Sequence, residues 1–158
     1  MSTFENNQFR WRETYFVLFP AGRRPKLKTL EKKLLNLHNR FTVTNAVGDD
    51  SGRFESITVL APDDFAAVDV CYTDGEEVRE QVASIVEDLR GEARGADRKR
   101  LDHLRVCDGR FEVLHFEQLS EDDQEDELLD PSTLLVVLEA LSELTDGIAF
   151  DPQAGAIM

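Results

Sequence analysis

The chain has 158 residues, of which 41% are hydrophobic and 32% charged; that suffices for one compact domain and is short for two. No run of 18 apolar residues occurs, which excludes an ordinary membrane-spanning helix, and residues 1–12 lack the basic-then-apolar order of a signal peptide, so a cytoplasmic protein is expected. Thirty-two acidic against 18 basic side chains give a formal net charge of −14, which disfavours nucleic acid and anionic membranes as partners and favours a basic protein.

That charge is unevenly shared. Residues 1–40 carry nine basic and three acidic side chains, a net of +6, whereas residues 41–158 carry nine basic and 29 acidic, a net of −20. The acidity also serves solubility, or a salty habitat, without any specific partner. The two cysteines, Cys71 and Cys107, have neither metal-ligand spacing nor a disulfide framework. Cys71 lies in an apolar run and Cys107 precedes an Asp-Gly turn signal.

In chain order, residues 14–19 are aromatic and β-branched and stop at Pro20, which reads as a buried strand. Pro25 then suits a helix start, and Leu27, Leu30, Leu34, Leu37 and Phe41 recur at three- and four-residue steps among lysines, predicting an amphipathic helix over 26–40. Phe41, Val43 and Val47 alternate with polar residues ahead of a Gly-Asp-Asp-Ser-Gly turn, and strand character resumes over 54–60, predicting a β-hairpin. Residues 67–72 give a further strand. Its Asp69 interrupts an apolar run, so Val68, Val70 and Tyr72 are expected to face helices and Ala67, Asp69 and Cys71 the other side. Thr73 or Asp74 is placed to cap a second helix, with Val78, Val82, Ile85, Val86 and Leu89 as its stripe and Gly91 at its end. Residues 91–100 have no periodic apolar face and read either as a linker or as the approach to a short helix with Leu101 and Leu104. Residues 110–118 are apolar on both faces and suit a central strand. Residues 117–130 hold eight acids and no base. Asp130-Pro131 reads as a helix start for the stripe Leu134, Val137, Leu138, Leu141 and Leu144. A final strand, a turn and a short apolar tail end the chain.

This order predicts a single α+β domain over 1–158: a two-layer sandwich with a mostly antiparallel sheet of about six strands, three or four helices mainly on one face, and a split β-α-β-like start. Residues 1–12 read as an N-terminal arm or edge strand and 117–130 as an acidic loop.

Three places invite function. Arg23, Arg24, Lys26 and Lys28 surround an expected helix start, where free amides and positive potential suit an anion; the rival reading pairs these cations with the chain's own acids. Glu117, Glu121, Asp122, Asp123, Glu125, Asp126 and Glu127 form an acidic surface suited to a basic partner; they lack the ligand spacing and central glycine of a calcium loop. Phe9 and Trp11 suggest association, including a homodimer, or closure of the domain's own core. His115 and Glu117 lie on one strand face without a third metal ligand, and neither His38 nor His103 sits in an acid–base arrangement. No catalytic constellation, cofactor or metal is implied. The sequence therefore favours an interaction module with a basic protein partner, the alternative being a domain that binds or transforms a small anion at loop 22–28.

Overall fold

A computed structural model describes residues 9–38, 40–91, 96–118 and 132–158. Among these are seven strands, β1 (Phe9–Phe19), β2 (Thr42–Gly48), β3 (Phe54–Ala61), β4 (Ala66–Asp74), β5 (Gly109–Gln118), β6 (Ile148–Asp151) and β7 (Ala156–Ile157), and four helices, α1 (Leu27–Leu35), α2 (Glu76–Leu89), α3 (Ala96–Leu104) and α4 (Ser132–Thr145). The strands form one open sheet in the order β2-β3-β4-β5-β1-β6-β7, with every neighbouring pair antiparallel. The α+β sandwich with an antiparallel sheet is thus the architecture, with one strand more than expected. No helix among the described residues is long and apolar enough to cross a membrane.

Alternation along β1 explains its place. Val17 and Phe19 enter one apolar core, while Phe16 and Leu18 point into another. A strand buried on both faces needs apolar residues at consecutive positions, which is what residues 15–19 supply. The larger core lies beneath α1 and α4. There Leu30, Leu34, Leu134, Val137, Leu138 and Leu141 cover Val59, Val68, Val70, Phe111 and Val113 of the sheet, and Phe111 meets Phe19 at 4.7 Å and Phe54 edge-on at 5.4 Å. The expected facing of Val68, Val70 and Tyr72 toward helices holds, and Asp69 on the other side bonds the Thr58 hydroxyl. α1 and α4 make the helical layer over the middle strands. α2 and α3 pack against the opposite face, where Val78, Val82, Leu101 and Leu104 meet Leu18, Ile148 and Phe150. The helices thus divide two and two between the faces and do not lie mainly on one, because β1 is apolar on both sides.

β1 and β2 are parallel and joined through α1, as in a split β-α-β unit, but three strands separate them; the one-strand split is β5-α4-β6, with β1 between. α1 is shorter than 26–40 because the chain turns after Leu35, with the Leu37 amide bonding Leu34 O; Leu37 and Phe41 still pack on the larger core from outside the helix. Thr73 and Asp74 complete β4 instead of capping α2. The N-cap is Gly75 at φ 104°, whose amide donates to the Asp108 carbonyl. The Asp130-Pro131 start falls outside the described residues.

The end of α4 shows why a glycine and its neighbour divide two tasks. Asp146 takes the left-handed conformation (φ 51°), and the Gly147 amide reaches back to Ser142 O at 2.9 Å, the closure of a Schellman turn. A Cβ on Gly147 would lie 2.9 Å from Leu18 O and 3.0 Å from Val17 Cγ1, so this residue is glycine because β1 passes against it, not because of its own φ.

Two neighbouring leucines test the layer assignment. Leu34 is fully buried and Leu35 is 41% exposed; Leu34→Ala is expected to cost about 2–5 kcal/mol by urea unfolding and Leu35→Ala under about 0.5 kcal/mol. Equal losses would contradict the orientation of α1. Gly147→Ala is expected to cost about 1–3 kcal/mol by the same measurement, the penalty for overpacking; an unchanged midpoint would show that β1 is not pressed against the turn.

Candidate functional site

Loop 22–28 does not gather its cations. Arg24 turns inward: Nε donates to Phe54 O at 2.8 Å, the guanidinium lies 4.2 Å from the Tyr72 ring centre, and Nη1 is 3.5 Å from Asp49 Oδ2. Asp49 is held below the usual carboxylate range chiefly by the Arg53 backbone amide, with the Ser51 amide adding to it. The first amide of α1, Leu27 N, is already bonded to Gly52 O at 2.9 Å. Arg23, Lys26 and Lys28 are exposed. Lys28 lies with Lys32 and Lys33 along a shallow surface on α1. Arg24 therefore ties the loop to the β2–β3 turn, as charge pairing within the chain would have it.

Of the predicted acidic surface, Glu117 alone is described; Glu121, Asp122, Asp123, Glu125, Asp126 and Glu127 lie outside the described residues. Glu117 is not on a surface. It is 8% exposed and pairs with Arg10 (2.8 Å) and Arg12 (3.4 Å). The reason is register: Arg10 sits directly across from Glu117 in the β1–β5 pairing, and an irregularity between Trp11 and Glu13 brings Arg12 to the same carboxylate. Trp11 falls opposite Phe116 and is 53% exposed, with its indole N–H donating to Thr14 Oγ1 at 3.1 Å. It does not close the core. Phe9 is half-buried at the start of the same strand.

Beside this pair the seam buries a second polar group. His115 is fully buried, with Nδ1 3.3 Å from Glu13 Oε1 and Nε2 without a hydrogen-bond partner among the described residues. Burial lowers the imidazole's proton affinity, and Glu13 only partly restores it. The same carboxylate faces Tyr15, whose hydroxyl is pushed up to about 12 by burial first and by Glu13 second. These are the parts of an acid–base relay, but a fully buried imidazole cannot touch a substrate. The trio is a structural cluster with a neutral histidine. Its Glu13–His115 contact spans 102 residues, which no local spacing reveals; only the strand partners Glu13 and Tyr15 shared a face in the sequence.

Neither thiol is primed as a nucleophile: burial raises Cys71, and it pushes Cys107 to about 12. His38 stacks on Phe41, and His103 bonds the Asp146 carbonyl. No group of three or more ligating side chains suited to a metal occurs among the described residues. A groove of about 390 Å³ lies between α2 and the segment after α3, with Val82, Val86 and Cys107 at its base and Arg79, Arg90 and Arg105 at its rim. Sequence reading missed it, since its two sides lie apart in the chain. No family model, curated protein or solved structure matches this chain.

The histidine has a checkable consequence. Its folded-state proton affinity lies below the unfolded value of 6.5, so stability is fully present above that pH. It falls as the unfolded state gains a proton that the folded state refuses. Between pH 6.5 and the folded-state value, wild type is expected to lose stability more steeply than His115→Gln in urea titrations. Identical slopes would show that His115 carries its proton in the folded protein.

Proposed function

We propose that this protein is a non-enzymatic binding module that presents carboxylates to a basic protein partner. The observation that carries this reading is the fate of the early cations. Arg10 and Arg12 are committed to Glu117, Arg24 to Asp49, Lys33 to Glu143 and Arg40 to Asp63. With 32 acids against 18 bases, fourteen carboxylates lack a cation even if every base is paired one to one.

Among the described residues α2 carries five exposed acids, of which Glu76, Glu77 and Glu87 pair with Arg79, Arg110 and Arg90, leaving Glu80 and Asp88 without an ion pair among those residues. Glu121, Asp122, Asp123, Glu125, Asp126 and Glu127, six of the tract's eight acids, add to this charge in sequence; Glu117, already paired, does not. Clustered like charges steer an oppositely charged partner and select it by long-range attraction. The rival reading, an anion at loop 22–28, has less support, because Arg24 is held by Asp49 and Tyr72 and the other three cations do not converge on a cavity.

A lysine-rich peptide and its neutral glutamine analogue separate these cases. The peptide is expected to bind by titration calorimetry at 0.05 M salt and to be released near 1 M, where the screening length shrinks to about 3 Å. Replacing Glu121, Asp122, Asp123, Glu125, Asp126 and Glu127 by Ser is expected to weaken it at least about tenfold, in line with tight coupling of close charge pairs. Equal binding of the neutral analogue, or no change in the replaced chain, would remove the proposal.

A further inference from the structure

The groove beside α2 reverses the polarity of its surroundings. Nine basic residues follow position 40, and seven of them, Arg90 through Arg110, fall within a 21-residue stretch that holds four acids. An eighth, Arg79, lies on α2 on the side that faces this stretch. α2 itself carries five acids, Glu76, Glu77, Glu80, Glu87 and Asp88, and only Glu87 borders the groove. Positions 79, 82, 86 and 90 repeat at helical spacing, so one stripe of α2 brings two arginines and two valines to the same wall. Arg105 and Cys107 supply the opposite wall.

The rim arginines keep donors in hand. Arg90 engages Glu87 through Nη2 alone (3.3 Å), and Arg105 engages Asp102 through Nη1 alone (2.8 Å). Arg79 shares Glu76 (3.3 Å) and, more loosely, Asp108 (3.7 Å). A guanidinium has five N–H donors in a fixed fork, so each retains donors among the described residues, and all three are more than half exposed. Below them Val82, Val86 and Cys107 are 3%, 9% and 2% exposed, an apolar base that the neutral Cys107 thiol does not interrupt. A volume of about 390 Å³ is that of a small-molecule site, below what a folded partner needs.

We infer that this groove is a binding site for a small amphiphilic carboxylate, its apolar body on Val82, Val86 and Cys107 and its carboxylate bridged between Arg90 and Arg105. Apolar contact and bidentate hydrogen bonding are both required: an inorganic anion gains nothing from the base, and a neutral or cationic amphiphile leaves the guanidiniums with their present partners.

The experiment is an amide-resolved NMR titration of the full chain with octanoate, octanol, octylammonium and inorganic phosphate. Saturable shifts of amides from Arg79 to Arg90 and from Arg105 to Cys107 are expected with octanoate, and weaker or absent shifts with the other three. The exposed pair Arg90→Gln and Arg105→Gln, with unchanged shifts elsewhere as evidence of folding, is expected to weaken octanoate at least about tenfold, since charge-assisted hydrogen bonds are the strong ones. Equal response to octylammonium, phosphate-driven shifts as large as those with octanoate, or unaltered binding by the double variant would overturn the assignment. So would ligand-free shifts of the same amides with protein concentration, which would give the groove to a second copy of the chain. None of these outcomes involves the acidic tract, so the site stands or falls apart from the docking proposal.

Discussion

The pairing of β1 with β5 is the constraint on which the rest of this molecule depends. β1 comes from the beginning of the chain and lies between β5 and β6, strands formed more than ninety residues later. Its alternate side chains divide between both apolar cores, Val17 and Phe19 on one face and Phe16 and Leu18 on the other. Neither helical layer is complete without it. The fold therefore relies on long-range closure, which costs chain entropy before it returns contacts, and it requires continuous apolar character over residues 15–19.

The same seam decides the electrostatics. Toward the start of β1 the apolar run gives way to Arg10, Arg12 and Glu13, and β5 answers with His115 and Glu117. A carboxylate at 8% exposure is costly unless paired, and the two guanidiniums meet that need while staying partly in water. Exposed ion pairs contribute little stability; the value of this one is specificity, since a one-residue slip would leave Glu117 buried without a cation and turn His115 to the other face. Arg10 and Arg12 are in this way joined to the sheet, whereas Arg23, Lys26 and Lys28 stay outward.

How much of this was legible in the sequence depended on the range of the interaction. The strands around Val17, Ile57, Val70 and Val113 and the stripes of α1, α2 and α4 follow from periodicity, because burial of one face is a local pattern. The interposition of β1 between β5 and β6 was not legible: every strand there is apolar enough to neighbour any other, and order is fixed by how α4 crosses over. The start of α2 was not legible because a tertiary contact chose it: Gly75 caps the helix, its amide meeting Asp108 O. The acidic tract was read as one block, yet Glu117 belongs to the strand and its register. The arginine-rimmed groove had a sequence trace, the crowding of bases into 90–110, but the overall negative charge masked it.

Two opposite polarities can coexist on so small a body because they act at different ranges. At about 0.15 M salt charges are screened beyond roughly 8 Å, so an approaching molecule first senses the sum of many carboxylates and only on arrival the three guanidiniums of the groove. Under the docking proposal a basic partner would be drawn in by that sum, and salt would weaken the attraction throughout. An anion meets repulsion first and attraction last, and salt diminishes both together, leaving a net dependence far shallower than for the basic partner. Under the groove proposal an anion would be retained by apolar contact with Val82 and Val86, which screening does not weaken, and by the directional fork of an arginine. Under that proposal repulsion at a distance would act as a filter, turning away simple anions, which have charge alone to offer, and passing those that also bring an apolar body.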